Sequence, residues 1–144
     1  MRVLFLFGPN LGALGTRDPD RYGTQTLAEI MDEVGDRATR LGHEVEWRQS
    51  EIEAELVAWI GAAAQEDVGA IAINPGALGH YSTALRDAIE AASVPAIEVH
   101  MTNIYAREAF RRHSEIAPVC RVTIAGAGAG GYHLALEALP WITH

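Results

Sequence analysis

A chain of 144 residues is long enough to bury roughly two thirds of its unfolded surface and to fold without staples, so one domain is expected over residues 1–144. Hydrophobic residues at 49% and charged residues at 21% exclude a disordered chain, and a net charge of -8, from 19 acidic and 11 basic side chains, argues against nonspecific nucleic-acid binding. The lone Cys120 leaves no disulfide framework and no multi-thiolate zinc site.

A reducing cytoplasm fits that cysteine usage. The start MRVLFLFGPN meets Gly-Pro too soon for a signal sequence, and no apolar run approaches the roughly 20 residues of a membrane span. Neither secretion nor membrane insertion is expected.

In chain order, Val3 to Phe7 is a short apolar run of the kind a strand covered on both faces requires. The glycine-punctuated stretch FGPNLGALGTRDPDRYG follows, with a loop of about 8–23 carrying Asn10, Arg17, Arg21 and Tyr22. It is about three times the usual loop length before any helix signal, which points to function. Thr26 and Glu29 stand in capping-box register before a helix from Leu27 to Leu41, with Gly42 as its stop. Glu44 to Arg48 reads as a second strand. Ser50 and Glu53 repeat the capping-box spacing before a helix through Ala64, and Ala70 to Asn74 forms a third strand. Ser82 caps a helix ending near Ala92, Pro95 to His100 is a fourth strand, and Val119 to Ala125 a fifth before a last helix to Leu139.

Five strands alternating with helices predict a parallel sheet between two helical layers, joined by right-handed crossovers. Ligands in such sheets sit outside the carboxyl ends of the strands, near the point where strand order reverses. That rule gathers Asn10, Asn74, Glu98, His100, Thr102 and Asn103 at one edge. It sets aside His43 at the opposite edge, and His133 and His144 on or beyond the last helix.

Four motifs remain to be weighed. GAGAGGYH, Gly126 to His133, satisfies G-x-G-x-x-G, yet only 13 residues follow Gly131, too few for a dinucleotide-binding unit. Small residues that let the last helix approach the sheet explain it better. NPGALGHYS, Asn74 to Ser82, puts backbone N–H groups of a βα turn where an anion or hydroxyl could sit, although an ordinary turn reads the same way. In EVHMTN, Glu98 and His100 share one face of a strand end, so the carboxylate can orient and charge-stabilise the imidazole. In YAREAFRRHS, Arg107 and Arg111 lie four apart on a short helical pattern; a solvated basic face is the plain alternative to a carboxylate or polyol grip. A metal site from His80, His100, His113 and Glu98 lacks the usual helical histidine spacing, and no G-x-S-x-G elbow marks a serine hydrolase.

These stretches together resemble a type II 3-dehydroquinate dehydratase over nearly the whole chain. The likeness lies in GPNL with LG-x-R-[DE]-P-x-x-YG, then RQS, NPGA with H-x-S-x-A-L-R-D, and IEVH-x-[ST]-N followed by ARE-x-FR-x-HS. The resemblance implies a flavodoxin-like α/β three-layer sandwich on a five-stranded parallel sheet, a homo-oligomer assembled as a dodecamer of trimers, a small-molecule substrate, and no metal or organic cofactor. It implies an anti elimination of water from 3-dehydroquinate through an enolate, in the shikimate pathway or in quinate catabolism. The loop of about 8–23 would be a mobile lid bearing Tyr22 as base, with Arg17 and Arg107 supplying the charge that favours a phenolate. Asn10 would hold a water, or itself act, where the enolate oxygen gains charge. His100 would protonate the departing hydroxyl, kept oriented and cationic by Glu98. Asn74, Met101, Thr102 and the adjoining backbone would bind substrate hydroxyls and carboxylate, with His80 and Arg111 on the remaining hydroxyls and Asp87 reaching a neighbouring subunit's site.

The chain departs from the family pattern at Phe7, commonly Asn; at GHYS, Gly79 to Ser82, commonly T-H-T-S; and at Tyr105, commonly His. Each departure is expected at the rim of the pocket. One alternative follows from them, a paralogue acting on a related cyclic keto acid; a second, of a different class, is a non-catalytic binding homologue that keeps the fold.

Overall fold

The computed structural model describes residues 1–144. Five strands form one parallel sheet: β1 (Arg2–Phe7), β2 (Glu44–Gln49), β3 (Val68–Asn74), β4 (Ala96–His100) and β5 (Val122–Ala125). Their order is β2-β1-β3-β4-β5, so the chain reverses direction across the sheet between β1 and β3. This is the flavodoxin-like arrangement, in which ligands lie above the β1/β3 crevice.

Period-two alternation decides which face each residue of β1 serves. Val3, Phe5 and Phe7 pack on one side with Ile30, Met31 and Val34 of α2 (Leu27–Arg40) and Tyr132, Leu136 and Leu139 of α5 (Gly130–Ile142). Leu4 and Leu6 point to the other, against Leu56 and Ile60 of α3 (Glu53–Ala62) and Leu85 and Ile89 of α4 (Thr83–Ala92). Both faces are thus covered, which is why the strand reads as an unbroken apolar run. The final helix sits close because of a missing side chain: a Cβ on Gly131 would stand 3.0 Å from Val99 Cγ1.

Several boundaries differ from expectation for local reasons. Thr26 caps α2 as expected, its hydroxyl accepting from the Glu29 N–H at 3.2 Å and donating to the Glu29 carboxylate at 3.0 Å. Ser50 does not cap α3. Its hydroxyl accepts from the Ile52 N–H at 2.9 Å and donates to Glu55, not Glu53, at 2.9 Å, so it closes a turn before the helix. β5 is shorter than Val119 to Ala125, because Ala117–Val119 forms a 3-10 turn with Pro118 at its second position. α5 continues past Leu139 through Pro140 to Ile142; Pro140 has no N–H for the Leu136 carbonyl, and the helix closes with the Thr143 N–H on the Leu139 carbonyl at 3.1 Å.

The stretch Tyr105 to Ser114 is not one helix. Two 3-10 turns, Ile104–Ala106 and Ala109–Arg111, flank Arg107, whose backbone is extended. The loop of about 8–23 is likewise structured. It holds a 3-10 turn, Leu11–Ala13, and the one-turn helix α1 (Pro19–Tyr22), and Leu11 and Leu14 tie it into the core.

Candidate active site

The GPN turn after β1 and the NPG turn after β3 press directly on each other at the crevice. A Cβ on Gly8 would lie 2.3 Å from the Pro75 carbonyl oxygen, and one on Gly76, whose φ is +59°, 2.8 Å from that of Pro9. Only glycine allows this approach. The contact, together with the Gly8 N–H donating to the Asn74 carbonyl at 2.9 Å, sets both asparagines at the same opening.

A cleft of about 110 Å³ opens there, and it brings together residues from four separate segments. Asn10, Arg17 and Tyr22 come from the segment after β1; Asn74 and His80 from β3 and the turn beyond it; His100, Met101 and Thr102 from the end of β4; and Arg107 and Arg111 from the two 3-10 turns. Arg107 and Arg111 therefore do meet, through separate turns and not through the helical spacing.

Three residues gathered here from the sequence lie outside the lining: Glu98, Asp87 and Asn103, whose Oδ1 instead accepts from the Tyr105 N–H at 3.1 Å. Glu98 sits beneath the lining, with no exposure at all. Asp87 lies exposed on α4, away from this chain's own cleft.

Tyr22 is held between two cations. Arg107 Nη1 donates to the Tyr22 hydroxyl oxygen at 3.1 Å, and the Arg17 guanidinium carbon lies 4.6 Å from the centre of the tyrosine ring. Arg107 Nη1 also reaches Thr102 Oγ1 at 3.4 Å, while its Nε is buried with no hydrogen-bond partner and lies 3.8 Å from a Glu108 carboxylate oxygen. Arg111 Nε donates to that same oxygen at 2.8 Å. One exposed carboxylate thus steadies both arginines from behind.

His100 Nε2 lies 3.3 Å from Glu98 Oε2, off the line of a well-aligned hydrogen bond. Because Nε2 faces the carboxylate, Nδ1 is left for a ligand. Burial pushes the Glu98 carboxyl up, but His100, Ser114 and Thr123 outweigh it with hydrogen bonds and charge and hold it below the ordinary carboxylate range. His80 stacks on His100, ring centres 6.0 Å apart. Its Nδ1 is 2.8 Å from the His113 carbonyl, which can only accept, so Nδ1 carries the proton and Nε2 is free to accept from the cleft when the ring is neutral.

Three further positions set this geometry, and motif reading assigned none of them a role. Glu51 takes the backbone N–H of Asn10 in both carboxylate oxygens, at 3.1 and 2.9 Å, and so fixes Asn10 in its left-handed conformation at φ +71°. Gln49 bridges Glu51 and the Gly8 carbonyl. Tyr132, fully buried, accepts from Asn74 Nδ2 at 2.9 Å, while Asn74 Oδ1 accepts from the Gly76 N–H at 3.2 Å. Their partners are close in space but 41, 41 and 58 residues apart in sequence, so no local signal marks the pairs.

The departures from the family pattern mostly do not reach the cleft, which corrects the expectation that they form its rim. Phe7 is wholly buried, edge-on to Tyr132 and Trp47 at ring distances of 5.3 and 6.2 Å. Tyr81 and Tyr105 are 65% and 55% exposed and point elsewhere. Gly79 alone comes near the chemistry, a Cβ there lying 3.7 Å from His100 Cε1. Burial, with a smaller push from Glu98, raises the Cys120 thiol to about 12, so it stays protonated and is no nucleophile. No group of three His, Cys, Asp or Glu side chains is arranged to hold a metal ion.

Fold and site together define a flavodoxin-like domain with a polar cleft, lined by a tyrosine, two histidines and three arginines, at the carboxyl edge of its sheet. The family model for class II dehydroquinases matches residues 1–140. A 3-dehydroquinate dehydratase of Pelotomaculum thermopropionicum is 51% identical, covering 96% of this chain and 95% of that protein; one of Ectopseudomonas mendocina is 52% identical over 94% and 92%. The crystal structure of a type II dehydroquinase from Propionibacterium acnes superposes with a TM-score of 0.92 at 43% identity, covering 96% of this chain and 94% of that one. Another, from Butyrivibrio crossotus, gives 0.95 at 38% identity over 97% of each. The chain belongs to the class II dehydroquinase family.

Proposed function

We propose that this protein dehydrates 3-dehydroquinate to 3-dehydroshikimate, as a carbon–oxygen hydro-lyase of the kind its relatives are named for. The observation that carries the reading is that one cleft is lined both by Tyr22, flanked by two guanidinium groups, and by His100, backed by a buried carboxylate.

The reaction runs as an anti elimination. Tyr22, as phenolate, takes a proton from the carbon alpha to the ketone; the electron pair moves into an enolate; the enolate collapses and expels the C1 hydroxyl, which takes a proton from imidazolium His100 and departs as water. Positive charge at Arg107 and Arg17 supports the phenolate, and negative charge at Glu98 supports the imidazolium. Asn10, directly or through a water, stabilises the enolate oxygen. Thr102, His80, Arg111 and the backbone at Met101 hold the substrate's hydroxyl and carboxylate groups. Asn74 has its carbonyl oxygen and one amide hydrogen already engaged, which leaves one amide hydrogen for the substrate. The same reaction serves aromatic biosynthesis and quinate breakdown.

The segment 8–23 acts as the lid, and the working unit is a homo-oligomer, a dodecamer of trimers, in which Asp87 reaches a neighbour's cleft. The exposure of Asp87 on α4, away from its own cleft, supports that part. No helix is long and apolar enough to cross a membrane, in keeping with a protein working in the cytoplasm. Incubation with 3-dehydroquinate should generate the ultraviolet absorbance of a conjugated enone; no signal at high protein concentration overturns the reading. Phe7 is buried and Tyr81 and Tyr105 lie outside the cleft lining, and of the four departures only Gly79 approaches His100, where it adds no side chain, so no observation favours the paralogue acting on a different ring acid.

A further inference from the structure

Glu98 lies at the centre of an arrangement that the elimination itself leaves unexplained. A carboxylate with no exposure has two oxygens to satisfy, and its neighbour His100 offers no aligned hydrogen bond. The aligned donors come from elsewhere. Ser114 Oγ donates to Glu98 Oε2, the oxygen facing His100, and Thr123 Oγ1 donates to Oε1 at 3.2 Å. Thr123 stands directly across from Glu98 in the β4–β5 register.

The serine hydroxyl has no freedom to do otherwise. It accepts from the Ala117 N–H at 3.0 Å, which opens the 3-10 turn Ala117–Val119, so its own hydrogen is left for the carboxylate. Ser114 also terminates the segment that carries Arg107 and Arg111. The arginine wall and the histidine wall of the cleft are therefore tied at one atom.

We propose that Ser114, assisted by Thr123, is a positioning residue that fixes the Glu98 carboxylate against His100 and so sets the geometry of the general acid. This rests on the dehydratase reading for its kinetic consequence but not for its titration. The charged and titratable groups around the pair are few. Glu98 is met by His100 from its own strand and by Cys120 from the chain before β5; His100 is met by His80 and, across the cleft, by Tyr22, Arg17, Arg107 and Arg111. Of these only His100 stands within reach of Glu98, its Nε2 3.3 Å from Oε2 and off the line of a well-aligned hydrogen bond.

The test is Ser114→Ala, followed in two ways. Turnover of 3-dehydroquinate should show kcat lowered about tenfold with KM unchanged within about twofold, because a donor to a charged acceptor is lost and Ser114 touches no substrate. Nuclear magnetic resonance titration of the Glu98 carboxyl carbon should show its midpoint moved up by about one pH unit. Ser114→Thr, which keeps the hydroxyl, should restore both. A wild-type protein that fails to turn over dehydroquinate removes the dehydratase reading, while the titration still decides the role of Ser114. An unshifted Glu98 midpoint in Ser114→Ala overturns the proposal. If that variant does not fold, Thr123→Val decides the matter: a smaller upward shift supports the clamp and no shift overturns it.

Discussion

The two ends of the sheet carry openings of opposite character. At the carboxyl end, a cleft of about 110 Å³ gathers two asparagines, two histidines, three arginines and a tyrosine. At the amino end of β4, a groove of about 420 Å³ runs between Val94, Pro95, Pro118 and Val119, with Glu90 and Arg121 as its only charged residues. The larger opening has no acid set against a base and no buried partner to tune either one. Chemistry follows the convergence of polar groups, and a parallel sheet produces that convergence where its loops leave the carboxyl ends of the strands.

That contrast can be broken most directly at Tyr22. Its hydroxyl has one protein partner, so Tyr22→Phe should fold normally and lose at least about 100-fold in kcat, as expected for removal of a general base. A variant that keeps half its turnover would take the base away from the carboxyl end altogether.

Glu51 sharpens the comparison, because it lies behind the cleft and touches only backbone and Gln49 there. Glu51→Ala frees Asn10 from its left-handed conformation and should lower kcat about tenfold, the cost of losing a hydrogen bond to a charged group. Glu51→Gln should recover part of the loss, measured by steady-state kinetics.

Stability should respond to acid through the same end of the sheet. Glu98 is held below the ordinary carboxylate range, so its contribution is present above the unfolded value, near 4.5, and is lost as pH falls through the lower folded value. Urea unfolding should give a smaller stability below pH 4.5 than at pH 6, and Glu98→Gln should flatten that dependence while lowering stability at pH 6. An unchanged slope in the variant would mean that other carboxylates govern the acid limb.

Phe7 tests the boundary between site and core. Replacing it with the asparagine common in the family removes two aromatic contacts and buries an amide, and should destabilise the fold by about 3–5 kcal/mol in chemical denaturation. A stable Phe7→Asn would show that the surrounding core can rearrange around an amide. The smallest effect is expected at the other end: Glu90→Ala in the amino-end groove should change turnover by less than about twofold and stability by less than about 0.5 kcal/mol.

Much of this was legible in the chain. Alternating apolar runs and capping residues fixed the order of strands and helices, because burial on both faces and satisfaction of helix ends are local demands. Asn10, Asn74, Glu98 and His100 could be placed at one edge by topology alone. The ordered motifs tied Tyr22, Arg17, Arg107 and Arg111 to them. Spacing misled where the backbone left regular geometry, as at Arg107, which meets Arg111 across two 3-10 turns and not along a helix. Ser50 failed in the same way, turning to Glu55 although Glu53 stood in the expected register.

By itself, then, the amino-acid order determined a parallel sheet, the edge where polar side chains collect, and the residue types available for proton transfer. Only the folded chain decided which of those side chains touch. Arg107 on Tyr22, Glu51 on Asn10, Tyr132 on Asn74 and Ser114 on Glu98 are contacts between segments 85, 41, 58 and 16 residues apart. The physical reason is range: propensity and periodicity act within a turn or a strand, whereas hydrogen bonds and charge act across whatever distance packing has closed.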